Sequence, residues 1–165
     1  MRMGYFGDSY DIVKQSLIGW LGEFGDWSVH PMLTRPATPE EVKAFERFLG
    51  AKVICAEVLA RDVNRVAYLS CAGKCGNLFL DPDTGLRLRE TDCRKPKAGY
   101  LFLEELVRLS KQRSHSLTLV FDQSLPAARN PMLCKSNWTI FKPPEFTALP
   151  ICRMRASLRA AMTRN

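Results

Sequence analysis

No stretch of this chain is apolar for the roughly 20 residues that a bilayer-crossing helix needs, so a membrane-spanning protein is not expected. The opening residues reach Asp8 and Asp11 too soon for a secretory leader, and a cytoplasmic location is the expectation. There is no Gly-x-x-x-x-Gly-Lys-Ser/Thr phosphate loop and no Gly-x-Gly-x-x-Gly dinucleotide fingerprint. Hydrolysis of nucleotides by a phosphate-loop mechanism is therefore not expected. Histidine is scarce, with only His30 and His115, and no Gly-x-Ser-x-Gly elbow or catalytic-cysteine context accompanies either. Both are read as structural.

Cysteine is present six times, at 55, 71, 75, 93, 134 and 152. In a cytoplasmic chain disulfides are not expected. A zinc site is usually announced by two short-spaced couples. Here only Cys71 and Cys75 lie close, with Cys93 and Cys134 as distant third and fourth ligands. Several cysteines sit in apolar runs, where a thiol behaves as a small hydrophobe, so buried free thiols are the expectation and no metal ligand is assigned.

What is present suits an ordinary globular domain: 165 residues, 46% hydrophobic and 25% charged. The net charge of +7 is unevenly spread. Residues 1–92 carry 11 Lys/Arg against 13 Asp/Glu, and residues 93–165 carry 13 against 4. A basic second half beside a nearly neutral first half suits a surface that meets a polyanion, and nucleic acid is the candidate partner. A solvated basic face without a partner fits the same counts. Oligomeric state is not legible.

Along the chain, Asp8 or Ser9 caps a first helix whose apolar face is read as Val13, Leu17, Trp20, Leu21 and Phe24. Residues 27–33 read as a strand, stopped by Arg35-Pro36. A second helix has a Thr38-x-x-Glu41 capping box with Pro39 at its first position. Val42, Phe45 and Leu49 form its buried stripe, and Gly50 terminates it. Residues 52–59 and 66–70 are β-branched or apolar runs, and the short link between them suggests an antiparallel hairpin. Leu78-Phe79-Leu80 runs into an acidic turn, Asp81-Pro82-Asp83-Thr84-Gly85. An amphipathic helix at 100–112 and a buried strand at 117–121 follow, and the second strand ends at Asp122. Strand, acidic loop, helix, strand is the rhythm of a βαβ unit.

The expected fold is thus α/β: one three-layer domain over residues 1–126 with a mostly parallel central sheet and one antiparallel hairpin. Residues 127–165 form a basic extension that shows helical spacing only at 152–162.

In open α/β sheets, ligands gather beyond the carboxyl ends of the strands. If the strands at 78–80 and 117–121 are parallel, both acidic ends face one way. Asp81, Asp83 and Asp122 are the candidate catalytic residues, able to hold a divalent cation or the hydrogens of a substrate amine. Thr84 and Gly85 complete that turn, which is also a favourable turn on composition alone. Asp8, Asp11 and Lys14 share the positive end of the first helix and are candidate substrate-binding residues; capping plus a surface ion pair is the plainer account.

Three segments carry a resemblance: Gly7-Asp8-x-x-Asp11-x-x-Lys14, Phe79-Leu80-Asp81-Pro82-Asp83-Thr84-Gly85, and Val120-Phe121-Asp122. They resemble a set of small uncharacterised bacterial and phage-associated proteins. The layout is similar to that of adenine-specific, S-adenosylmethionine-dependent RNA methyltransferases, which open with a Gly-Asn-x-x-Asp-x-x-Lys segment and carry Asp-Pro-Pro-Tyr after a central strand. Asp83 and Thr84 stand where that motif has its second proline and its aromatic, and no glycine-rich loop follows residues 27–33. The resemblance implies a Rossmann-like, methyltransferase-like sheet and a nucleic-acid-acting enzyme or a decayed relative, with S-adenosylmethionine as cofactor. Two alternatives stand beside it: a metal-dependent nuclease using Mg²⁺ or Mn²⁺ on the clustered aspartates, and a non-catalytic phage or plasmid accessory binding protein.

Overall fold

The computed structural model of the chain describes residues 7–60, 62–88, 99–113, 116–122, 138–141 and 149–150. Helix α1 (Ser9–Leu21) leads into strand β1 (Trp27–His30), helix α2 (Pro39–Leu49) and the short strand β2 (Lys52–Val53). Helix α3 (Arg65–Tyr68) then precedes β3 (Asn77–Leu80), β4 (Gly85–Arg87), β5 (Tyr100–Phe102) and α4 (Leu103–Gln112). Strand β6 (Thr118–Phe121) follows, with β7 (Trp138–Phe141) and β8 (Leu149–Pro150) beyond it.

The main sheet has the order β2-β1-β3-β6-β7-β8. Its first four strands are parallel, and β7 and β8 add antiparallel pairs at one end. The fold is therefore mixed α/β around a four-stranded parallel sheet. The expected parallel βαβ unit is present, with β3 and β6 joined through α4 and Leu80 paired to Val120. Strands β4 and β5 form a separate parallel pair.

The central strands read as continuous apolar runs because they are buried on both faces. Alternate side chains divide between two cores. Val29, Phe79, Leu119 and Phe121 pack with Ile18 and Leu21 of α1 and Phe45 and Leu49 of α2. Leu78, Leu80 and Val120 pack on the opposite side with Tyr68 of α3 and Leu106 and Leu109 of α4. Arg113 secures the amino ends of two neighbouring strands, donating to the carbonyls of Gly76 and Leu117.

Local rules decide α2. Thr38 accepts from the Glu41 amide, Glu41 accepts from the Thr38 amide, and Gly50 ends the helix at φ 70°. Phe45 and Leu49 are buried as expected, and Val42 is half-buried against the same core.

Three expectations are corrected. The hairpin from 52–59 and 66–70 does not form: β2 is only two residues long, and 65–68 is helical. Asn64 caps that helix by accepting from the Val66 and Ala67 amides, and Arg65 clamps Glu105 at 2.7 Å, which a strand here would forgo. The helix expected over 100–112 begins at Leu103, because Tyr100–Phe102 pairs with β4. Glu105 then accepts from the Phe102 amide and starts the helix there. The third concerns α1, whose buried residues are Asp11, Lys14, Ile18 and Leu21. Leu21 is buried and Leu17 packs against the same core as expected, but Val13, Trp20 and Phe24 are 49%, 42% and 49% exposed, so the helix is rotated off part of its apolar stripe. The segment 152–162 lies outside the described residues.

No helix among the described residues is long and apolar enough to cross a membrane. Phe79 is fully buried in the middle of the parallel sheet. Phe79→Ala is expected to cost about 3–5 kcal/mol of unfolding free energy, read as a lower urea midpoint with the fold retained.

Candidate functional site

Asp81 is the first residue after β3, and its amide donates to the carbonyl of His30 at the end of β1. Beta1 lies between β2 and β3, so the chain's connections diverge at the β1–β3 boundary, where α/β sheets open a crevice. Alternation along β3 turns Asp81 towards α1. There Lys14 Nζ donates to Asp81 Oδ2 at 2.9 Å and to Asp11 Oδ1 at 3.0 Å. The Gly7 amide donates to the other oxygen of Asp11 at 2.9 Å. Lys14 also lies 4.5 Å from the centroid of the Phe121 ring, at the end of β6. Tyr10 packs its ring 5.8 Å from the same phenylalanine.

One ammonium, two carboxylates and an aromatic face thus meet where α1, β3 and β6 converge. All three charged residues are buried, with Asp11 at 5%, Lys14 at 3% and Asp81 at 1% exposure. The ion pair expected at the surface is a buried one. Burial by itself would lower the Lys14 pKa, but Asp81 and then Asp11 outweigh it and hold the amine above its ordinary value. Burial pushes the Asp81 carboxyl up, against the pull of Lys14. The two directions agree: Asp81 takes up a proton more readily, and Lys14 gives one up more reluctantly, than in water.

Asp122, at 7% exposure, leaves the same edge of the neighbouring strand, as parallel pairing requires. Its Oδ1 accepts from the Leu86 amide at 3.0 Å and so fixes β4, which the acidic turn enters. Asp83 and Thr84 are half-buried in that turn. The Thr84 amide donates to the Gly99 carbonyl at 2.7 Å. Gly85 is buried at φ 120°, a backbone conformation that favours glycine. Asp8 is exposed and serves as the α1 cap, its Oδ1 accepting from the Tyr10 and Asp11 amides.

The structure therefore joins Asp11, Lys14 and Asp81 directly, sets Asp122 on the adjacent strand end, and leaves Asp8 to capping. Asp81, Asp83 and Asp122 are not drawn into a metal-ligating set. Among the described residues, the three His, Cys, Asp or Glu side chains whose ligating atoms lie within 4.8 Å of one another are His30, Cys55 and Cys71. Sequence reasoning missed Phe121 as a partner of Lys14, and its place directly before Asp122 was the available signal. His30 is fully buried, and burial lowers its pKa to about 4. Cys55, Cys71 and Cys75 are free and half-buried thiols, and burial pushes Cys71 up to about 11. His115, Cys93, Cys134 and Cys152 lie outside the described residues.

Comparison with protein-family models, with curated proteins and with solved structures gives no match.

Lys14→Met is expected to destabilise the chain by about 3–5 kcal/mol, because two carboxylates stay buried without their cation. Adding Asp81→Asn should restore part of that loss, measured by urea unfolding at neutral pH. The deficit of the single variant should shrink towards both pH extremes. A raised Lys14 pKa gives stability that is full below the ordinary value of 10.5 and is lost as pH rises through the folded value. A raised Asp81 pKa gives a protonation contribution that is full below 3.8 and is lost as pH rises through its folded value. In acid, the protonated Asp81 no longer needs the cation.

Proposed function

We propose that this chain is a methyltransferase-like, nucleic-acid-acting protein that keeps the amine-holding half of such a site and has lost the cofactor half. The observation that carries the reading is the placement of the acidic turn. Asp81 stands at the β1–β3 boundary of a parallel sheet and is fixed by Lys14, and the turn continues along the carboxyl edge through buried Pro82 and half-buried Asp83 and Thr84. Asp81 is a positioning residue here, since its carboxylate is buried and paired. The acceptor chemistry that an exocyclic amine would meet is carried by the Pro82 carbonyl and the Asp83 carboxylate of the turn. The sheet order and the antiparallel strand beyond β6 are in keeping with a Rossmann-like, methyltransferase-like layout. The basic second half of the sequence would receive phosphates.

The cofactor half does not fit. A dinucleotide or S-adenosylmethionine loop after β1 needs glycines so that backbone can approach the ligand. In this chain Pro31, Met32 and Leu33 follow instead, all buried. Met32 and Leu33 pack into opposite cores, and Met32 holds a φ of 46°. Both side chains belong to the cores and residues 31–38 hold no glycine, so a cofactor loop would lack the close backbone approach it needs. The nuclease alternative gains little from Asp81 and Asp122, which are committed to Lys14 and to the Leu86 amide.

Two titrations separate the possibilities. Calorimetry with S-adenosylhomocysteine is expected to give no saturable heat, and saturable binding would overturn the loss of the cofactor half. Fluorescence anisotropy with a single-stranded RNA carrying one adenine, against the same strand carrying hypoxanthine, reads the amine directly. A preference of about tenfold for adenine is expected, and Asp83→Asn should abolish it. An unchanged affinity for both strands in the native protein would sink the amine-holding site. Manganese-dependent cleavage of either strand would favour the nuclease.

A further inference from the structure

On the face of the sheet opposite Lys14, the end of β1 carries a second constellation. His30 comes from β1, Cys55 from the segment after β2, and Cys71 from the 3-10 turn after α3. A ring nitrogen and the two sulfurs lie within 4.8 Å of one another. The imidazole is fully buried and turned edge-on to the Tyr68 ring, with centroids 4.9 Å apart. Its Nδ1 takes a long 3.4 Å contact from the Met32 amide, and its Nε2 has no hydrogen-bond partner. A buried nitrogen left unsatisfied costs about 1–3 kcal/mol, so an unpaired Nε2 on a ring that has two thiols beside it calls for an account. Packing of the cysteines as small hydrophobes explains the sulfurs but leaves that nitrogen unexplained.

We propose that His30, Cys55 and Cys71 form a binding site for a borderline-soft divalent metal of the zinc class. Two sulfurs and one imidazole are the donor set that such ions prefer over hard cations. A tetrahedral zinc centre places its sulfurs ~3.8 Å apart and its nitrogen ~3.5 Å from each, given bonds of ~2.3 and ~2.0 Å. From at most 4.8 Å apart, the sulfurs therefore need to close by about 1 Å and the nitrogen by about 1.3 Å at most, within the rotamer freedom of two half-buried cysteines. Binding releases the two thiol protons to solvent, and the single ring proton passes from Nε2 to Nδ1, so a neutral imidazole ligates through Nε2 with no net proton lost from the ring. The ring then carries its proton on Nδ1, in place of the contact from the Met32 amide. Tyr68 backs the site through its ring, and its carbonyl receives the Cys71 thiol at 3.5 Å in the metal-free chain. A cleft of about 530 Å³, lined by Cys55, Glu57, Asn64, Tyr68 and Cys71, opens beside the trio. Three protein ligands facing a cleft leave a fourth position for water or a small ligand.

The test is titration of the reduced full-length chain with Co²⁺, followed by Zn²⁺. One equivalent of Co²⁺ should produce thiolate-to-metal charge-transfer bands and tetrahedral visible bands, and Zn²⁺ should displace it. Cys55→Ser and Cys71→Ser should each weaken uptake by more than ~100-fold, beyond the cost of losing an outer-shell partner. Cys75→Ser should leave it unchanged, since Cys75 stands outside the trio. Zinc should raise the melting temperature of the native chain and of Cys75→Ser but not of Cys55→Ser, which separates lost ligation from lost fold. Absence of the bands in the native chain overturns the site. Bands that survive in both Cys55→Ser and Cys71→Ser overturn it equally, by assigning the metal to other cysteines. A Cys55–Cys71 disulfide whose reduction yields no metal uptake does so as well.

Discussion

The ammonium of Lys14, buried between Asp81 and Asp11, is the contact around which the carboxyl edge is arranged. A charge taken out of water must be paired, and breaking a buried pair costs about 3–5 kcal/mol. Burying a valine or a tryptophan recovers about 1.5–3 kcal/mol each at most. The two sums are similar, and rotation would also give up the burial of Ile18 and Leu21, so α1 turns Val13 and Trp20 outward and its charged residues inward. Rotating the helix to bury its apolar stripe would strand Asp81 at the end of β3. The helix is docked by its charges at one end and by Ile18 and Leu21 at the other.

From that contact the rest of the edge follows in sequence. Asp81 bonds back to the end of β1, Phe121 stacks under Lys14, and Asp122 holds the strand that the acidic turn enters. The parallel pairing of β1, β3 and β6 is what brings these strand ends to one side. It also gives the edge two chemically different faces. Towards α1 the environment is carboxylate and ammonium, hard and ionic. Towards α3 it is imidazole and thiol, soft and nearly uncharged, because burial disfavours the ionised forms of His30 and Cys71.

Parts of this were legible beforehand. Helix α2 was, since Thr38, Pro39, Glu41 and Gly50 act within a few residues of the bonds they make. The parallel pair of β3 and β6 was also legible, since ten helical residues between two apolar runs leave few other connections. The site residues Asp11, Lys14 and Asp81 were individually visible, but their junction was not. Lys14 and Asp81 are 67 residues apart, and nothing local in either segment names the other. The stretch at 66–70 was misread because β-branched Val66 suggests a strand, while Asn64 and the distant Glu105 impose a helix. Cys71 was weighed by its spacing to Cys75 and Cys55 by its apolar run, and both signals are blind to a histidine on β1.

The sequence by itself determined the α/β class, the caps and ends of α2, and the acidic turn that closes β3. Each of these depends on bonds between near neighbours or on the two-residue and 3.6-residue periods of buried elements. Only the tertiary structure decided which face of α1 is buried, that 65–68 is helical, and that His30 meets Cys55 and Cys71. Those outcomes are set by partners many residues away, where the cost of an unpaired buried charge or polar atom outweighs local preference.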